Sequence, residues 1–178
     1  MKLFSALLSV LFVFAATSFS ALASDYKLGD LAIHKAYIPA TVKSAPVAAG
    51  YLKITNNGKE DDRLVSVKAG FSAKQQIHTM KMVDGIMRMR PLKDGIVIPG
   101  GGETVLKSGG DHLMFMKLSE PMQIGQMREV TLVFEKAGEV TIVMPVVDPS
   151  SQENVEGHDH SGHSGHSEQT DEHSTHSH

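Results

Sequence analysis

The 178-residue chain contains no cysteine. That absence excludes disulfide bridges and thiolate metal centres, and it leaves no residue for lipid attachment at a leader cleavage point. No apolar run reaches the roughly 20 residues that a membrane-spanning helix needs. The one run near the start, through Phe14, is short and follows a basic opening at Met1-Lys2. A strong charge of one sign is also missing, since the formal net charge is −3. With Lys2 and the acids of the last thirty residues set aside, the body comes to about +2, which gives no nucleic-acid footprint. No window holds apolar residues at a sustained helical period. The histidines of the body have no serine or cysteine neighbourhood of the kind a hydrolase nucleophile requires.

Three segments differ in composition. Residues 1–23 read as a secretory signal, with Ala21-Leu22-Ala23 as the small-x-small pattern and cleavage expected after Ala23. An exported, periplasmic protein with no membrane span in its mature form is the expectation. Residues 24–148 are long enough for one domain with its own core. From Pro149 to His178 the chain holds one valine, no aromatic residue and seven histidines among Ser, Gly and acids. Such a segment cannot bury enough apolar surface to offset its ordering entropy, so a disordered tail is expected.

Within the body, short β-type runs alternate with turn residues. The expected strands cover residues 32–38, 50–55, 63–68, 75–83, 86–92, 104–107, 112–118, 130–135 and 139–145, with turns at Asn57-Gly58, Asp84-Gly85, Asp94-Gly95 and Ala137-Gly138. This pattern predicts an antiparallel β sandwich or closed barrel. Val130, Leu132 and Phe134 share one face, as do Val140, Ile142 and Met144, and these faces are expected in the core. The triple glycine before Lys107-Ser108 lacks the glycine that a phosphate loop places directly before its lysine, so it reads as hairpin loops. His34 has no methionine partner and reads as an ordinary structural histidine.

The run His112-Leu113-Met114-Phe115-Met116 carries the chemistry. On a strand His112, Met114 and Met116 point one way and Leu113 and Phe115 the other, with same-face residues roughly 6.7 Å apart. An imidazole and a thioether so placed can converge on one soft metal ion. His78-Thr79-Met80-Lys81-Met82 repeats the design, and Met87-Arg88-Met89 follows the Asp84-Gly85 turn. Methionine is a common core filler, so a methionine face alone reads as interior. Histidines inside two such strands turn the set toward a site, with His112 and Met114 facing a rim or surface depression. On the strand through His78 the opposite face is only half apolar, which leaves Met80 and Met82 as candidates for the interior.

At these residues the chain resembles the periplasmic copper chaperones called PCu(A)C. That family's pattern is a His, ten residues, a Met, about twenty-one residues, then His-x-Met. Here ten residues separate His78 from Met89, and twenty-two separate Met89 from His112-Leu113-Met114. The family's optional Met directly after the first His is Thr79. The resemblance implies four Cu(I) ligands, His78, Met89, His112 and Met114, and a cupredoxin-like Greek-key β-barrel or sandwich. It implies delivery of copper to the CuA-type centre of a cytochrome oxidase copper subunit, alongside a thiol-bearing assembly factor. Met87 shares a face with Met89 but falls outside the pattern, so it is not expected to be a ligand.

The ligand types suit that role. Thioethers cannot pair into disulfides in an oxidising compartment, and they prefer Cu(I). Without a thiolate the set suits a carrier that releases its metal and excludes a blue-copper electron carrier. A non-enzymatic, monomeric copper chaperone is therefore expected, and a copper or zinc scavenging or resistance protein is the alternative. In the tail His158, His160, His163, His166, His173, His176 and His178, with neighbouring carboxylates, are expected to capture Cu(II).

Overall fold

The computed structural model describes residues 25–151, all strand and loop apart from a short turn at the C-terminal end. The strands are β1 (Tyr26–Leu28), β2 (Leu31–Pro39), β3 (Val47–Asn56), β4 (Asp62–Lys68), β5 (Ser72–Val83) and β6 (Ile86–Pro91). After them come β7 (Ile96–Ile98), β8 (Glu103–Leu106), β9 (His112–Leu118), β10 (Met127–Phe134) and β11 (Glu139–Val147). Two of these, β1 and β7, are three-residue strands that the alternation pattern does not reveal, since so short a run carries almost no period.

The strands form one hydrogen-bonded path in the order β6-β5-β9-β3-β2-β11-β10-β4-β7, with β1 added to β2 and β8 to β3. All pairings are antiparallel except β11 with β2, which meet in parallel over two residue pairs. Alternate residues of the path enter a single core: Ile33 and Ile38 from β2, Leu52 and Ile54 from β3, and Leu113 and Phe115 from β9. Val130, Leu132 and Phe134 from β10, with Ile142 and Met144 from β11, complete it from the other side. A sheet whose inner faces all meet in one cluster must curl back on itself, which the inherent twist of strands permits. The all-β reading holds, and the sheet stays open, with β6 and β7 at its two ends. The expected core faces hold too, with Met144 fully buried.

Close approach of the layers depends on Gly50, which pairs with Leu113. A Cβ there would stand 2.8 Å from Cε2 of Phe115 and 3.3 Å from Cε of Met144. The β5–β6 connection is the two-residue turn foreseen at Asp84-Gly85, with φ of 53° and 77°. These left-handed values define the hairpin turn that matches strand twist. His34 pairs its Nδ1 with Asp25 at 2.8 Å.

Two sequence expectations need correction. Met82 is not interior but 63% exposed, because β5 and β6 run on past the body as a hairpin arm on which every residue of β6 is exposed. His112, expected to face a rim or surface depression, is 3% exposed. It begins β9 directly beside β5, inside the sheet rather than at its border.

Candidate metal centre

The register of β5 against its neighbours assembles the histidine and methionine residues on one face. His78 lies directly opposite His112, and Gln76 opposite Met114. On the other side of β5, Met80 faces Met89, Met82 faces Met87 and Pro91 faces His78. Directly opposed residues in an antiparallel pair share a face. Residues 76, 78, 80 and 82 of β5, 112, 114 and 116 of β9, and 87, 89 and 91 of β6 therefore line one surface. Thr79 points the other way and is buried. Its place next to His78 in the sequence puts it on the wrong side of the sheet for any ligand role.

The two imidazoles are held so that each offers one nitrogen. Nδ1 of His112 lies 3.0 Å from the carbonyl oxygen of Gly110. A carbonyl only accepts, so Nδ1 carries the proton and Nε2 keeps a free lone pair. Nε2 of His78 lies 3.1 Å from Oε1 of Gln76 and donates to it. Nδ1 of His78 then bears the lone pair, and it is buried with no hydrogen-bond partner among the described residues. A buried acceptor without a partner costs free energy that a bound cation would recover. The ring centroids stand 5.9 Å apart at 66°, edge to face. Burial, then the neighbouring His112 and Lys74, hold the His78 imidazole below its ordinary pKa, so it stays neutral and open to a metal.

The methionines are less closely gathered. Met114 is half-buried one rung to one side of the histidine pair, between Ala49 on β3 and Gln76 on β5. Met89 sits one rung to the other side, on β6, and is 45% exposed. Strand geometry separates the two backbones by roughly 10 Å across the sheet and about 13 Å along it. His78, His112 and Met114 thus belong to the body, while Met89 belongs to the hairpin arm and must swing inward to join them. Half-buried Met80 is nearer, one rung from His78 on the same strand. Among the described residues no three His, Asp or Glu side chains group as a metal site, so a hard-ligand centre has no support. A hollow lined by Asp30, Glu60, Asp61 and Asp62 is also lined by Lys59 and Lys136. There Asp62 already accepts from the backbone amides of Arg63, Lys136 and Ala137.

Gln76 and the Gly110 carbonyl were not foreseen from sequence. Gln76 was open to discovery, since it stands two residues from His78 and so shares its face; the carbonyl had no sequence signal. The tail histidines 158, 160, 163, 166, 173, 176 and 178 lie outside the described residues, as does the expected signal segment, residues 1–23.

An all-β domain with a curled open sheet and a His/Met face is the class that fold and geometry define. The chain belongs to the LpqE-like family, whose profile, described as "Putative lipoprotein LpqE-like", matches residues 31–146. It is 31% identical over 126 residues to "Putative lipoprotein Lxx21020" of Leifsonia xyli subsp. xyli, covering 70% of this chain and 75% of that one. Among solved structures it resembles the copper-bound PCuAC domain from PmoF2 at 29% identity and a TM-score of 0.60, covering 71% of this chain and 99% of that domain. The apo PCuAC domain from PmoF1 is similar at 28% identity and a TM-score of 0.61, over 71% of this chain and all of that domain. The solution structure of CuI-DR1885 from Deinococcus radiodurans shares the fold, with 22% identity, a TM-score of 0.53 and coverage of 71% and 83%.

Proposed function

We propose that this protein is an exported, non-enzymatic copper carrier that binds Cu(I) through His78, His112, Met114 and Met89 and hands it to a recipient protein. The observation that carries the reading is the histidine pair with one free nitrogen on each ring, the His78 nitrogen buried and unpartnered, on a face lined by thioethers. Two neutral imidazoles and two neutral thioethers match Cu(I) and leave its charge uncompensated, a set suited to release. The similarity to PCuAC domains, one of them copper-bound, supports the same cargo. X-ray absorption of the Cu(I)-loaded protein tests the set directly. Two sulfur and two nitrogen neighbours are expected, and a coordination shell without sulfur would overturn it.

The recipient on this reading is the copper subunit of a cytochrome oxidase, reached with a thiol-bearing assembly factor. A periplasmic scavenger of copper or zinc is the competing role, and it makes the histidine-rich tail the main sink. Respiratory oxidase activity in a deletion strain separates the two, since only delivery requires it to fall. The tail histidines on either role take Cu(II). Truncation after Asp148 is expected to remove most Cu(II) binding and leave Cu(I) affinity unchanged, in titrations against a competing chelator. Equal Cu(II) stoichiometry in both forms would remove the tail from the account.

A further inference from the structure

The hairpin arm carries more thioether than the proposed four-ligand set uses. Beyond the His78–His112 rung the same face continues with Met80 opposite Met89 and then Met82 opposite Met87. The two-residue turn closes on the Val83–Ile86 pair, which makes the Met82–Met87 and Met80–Met89 pairs non-hydrogen-bonded ones. Cα atoms in such pairs approach to about 4.5 Å and their side chains are closer than in the alternate pairs. Met82, Met87 and Met89 are 63%, 43% and 45% exposed. Apolar side chains at that exposure gain less from burial than core residues do, so packing alone does not account for Met82, Met87 and Met89.

The reverse face of the arm shows that the pattern is one-sided. There Thr79 faces Arg90 and Lys81 faces Arg88. The Val83–Ile86 pair at the tip completes that back face, whose Lys81, Arg88 and Arg90 discourage pairing with another sheet edge, while the thioethers on the front present soft donors.

We propose that Met82 and Met87 form an outer thioether site for a soft monovalent cation, and that Met80 and Met89 link it to the inner histidine site. The ladder is a path along which Cu(I) is loaded and unloaded. Adjacent rungs lie roughly 6.7 Å apart, and an unbranched methionine side chain with three rotatable bonds can turn its sulfur toward either neighbour. Each step exchanges one thioether for another. Copper stays Cu(I), no proton is released, and no reductant is needed. This inference rests on the inner site being the destination, so the test must read the two sites separately.

The full chain, labelled with 13C at the methionine methyl groups, is titrated with Ag(I) as a redox-inert stand-in and followed by NMR. The first equivalent is expected to shift the Met89 and Met114 methyls, and the second those of Met82 and Met87. An M82L/M87L variant conserves volume at exposed positions and keeps the fold. It is expected to lose the second response and keep its inner-site affinity. Its transfer of Cu(I) to bathocuproine disulfonate should slow by about tenfold or more, because the outer pair no longer holds the ion in position for exchange. Unmoved Met82 and Met87 methyls at two equivalents, or transfer at the parent rate, would overturn the proposal. Shifts of Met82 and Met87 at the first equivalent with Met89 and Met114 silent would sink the inner site instead, and with it the ladder as a path between two sites.

Discussion

At His78 and His112 a single proton position on each ring decides what the face can hold. Gln76 Oε1 accepts the hydrogen bond from His78 Nε2–H and so leaves the lone pair on Nδ1. A Gln76→Leu protein can present either nitrogen, and its Cu(I) affinity is expected to fall by roughly 10- to 100-fold, the range seen when partners that orient ligands are lost. An unchanged affinity in a chelator competition would remove Gln76 from the site. Met114→Ala removes a proposed ligand from a half-buried position. It should weaken Cu(I) binding by at least about 100-fold while the far-ultraviolet dichroism and the unfolding midpoint stay close to the parent. Unfolding in that variant would show that the methionine face is core. Met87→Leu, by contrast, should leave inner-site affinity unchanged, because Met87 stands two rungs from the histidine pair.

Among the elements, the β5–β6 arm is the one that the proposed Met89 ligand would couple to copper. Its strands pair with each other beyond the body, and β6 is exposed along its whole length. Backbone hydrogen bonds so exposed open at low free energy. A ligand drawn from Met89 would tie the arm to the buried histidines and raise that free energy. Amide hydrogen exchange in residues 86–90 is therefore expected to slow on Cu(I) loading, with little change in β10 and β11. Equal exchange in both states would mean that Met89 does not coordinate. The element's shape rests on Gly85, whose φ of 77° is disfavoured for other residues by about 1–2 kcal/mol.

For the whole molecule, the buried neutral His78 ties stability to pH. Its pKa in the fold lies below its ordinary 6.5, so the unfolded chain takes up the proton first as pH falls. Unfolding is then favoured progressively from about the ordinary histidine value down through the lowered one, and above both values the term vanishes. The apoprotein should show a lower urea midpoint at pH 5 than at pH 7.5, and His78→Gln should flatten that difference. A parent-like pH dependence in the variant would place the acid sensitivity elsewhere. Among the described residues no helix is long and apolar enough to cross a membrane. The family and the Leifsonia relative are both described as lipoproteins, whereas this sequence contains no cysteine.

Alternation with period two was enough to read the strands from residue 112 to 118, to assign Leu113 and Phe115 to the core, and to put His112 and Met114 on the opposite face. Asp84-Gly85 announced its turn because left-handed φ values exclude most other residues there. These are local properties, set by which side of a strand a residue occupies. Depth is not local. Met82 and His78 share a face of one strand, yet one is 63% exposed and the other 8%, because β9 covers only the first part of β5 and the remainder pairs with β6 alone. The pairing of His78 with His112 follows from the β5–β9 register, and the separation of Met89 from that pair follows from the β5–β6 register. Strand register is decided by which inner faces pack together across the core, so only the folded sheet could settle them.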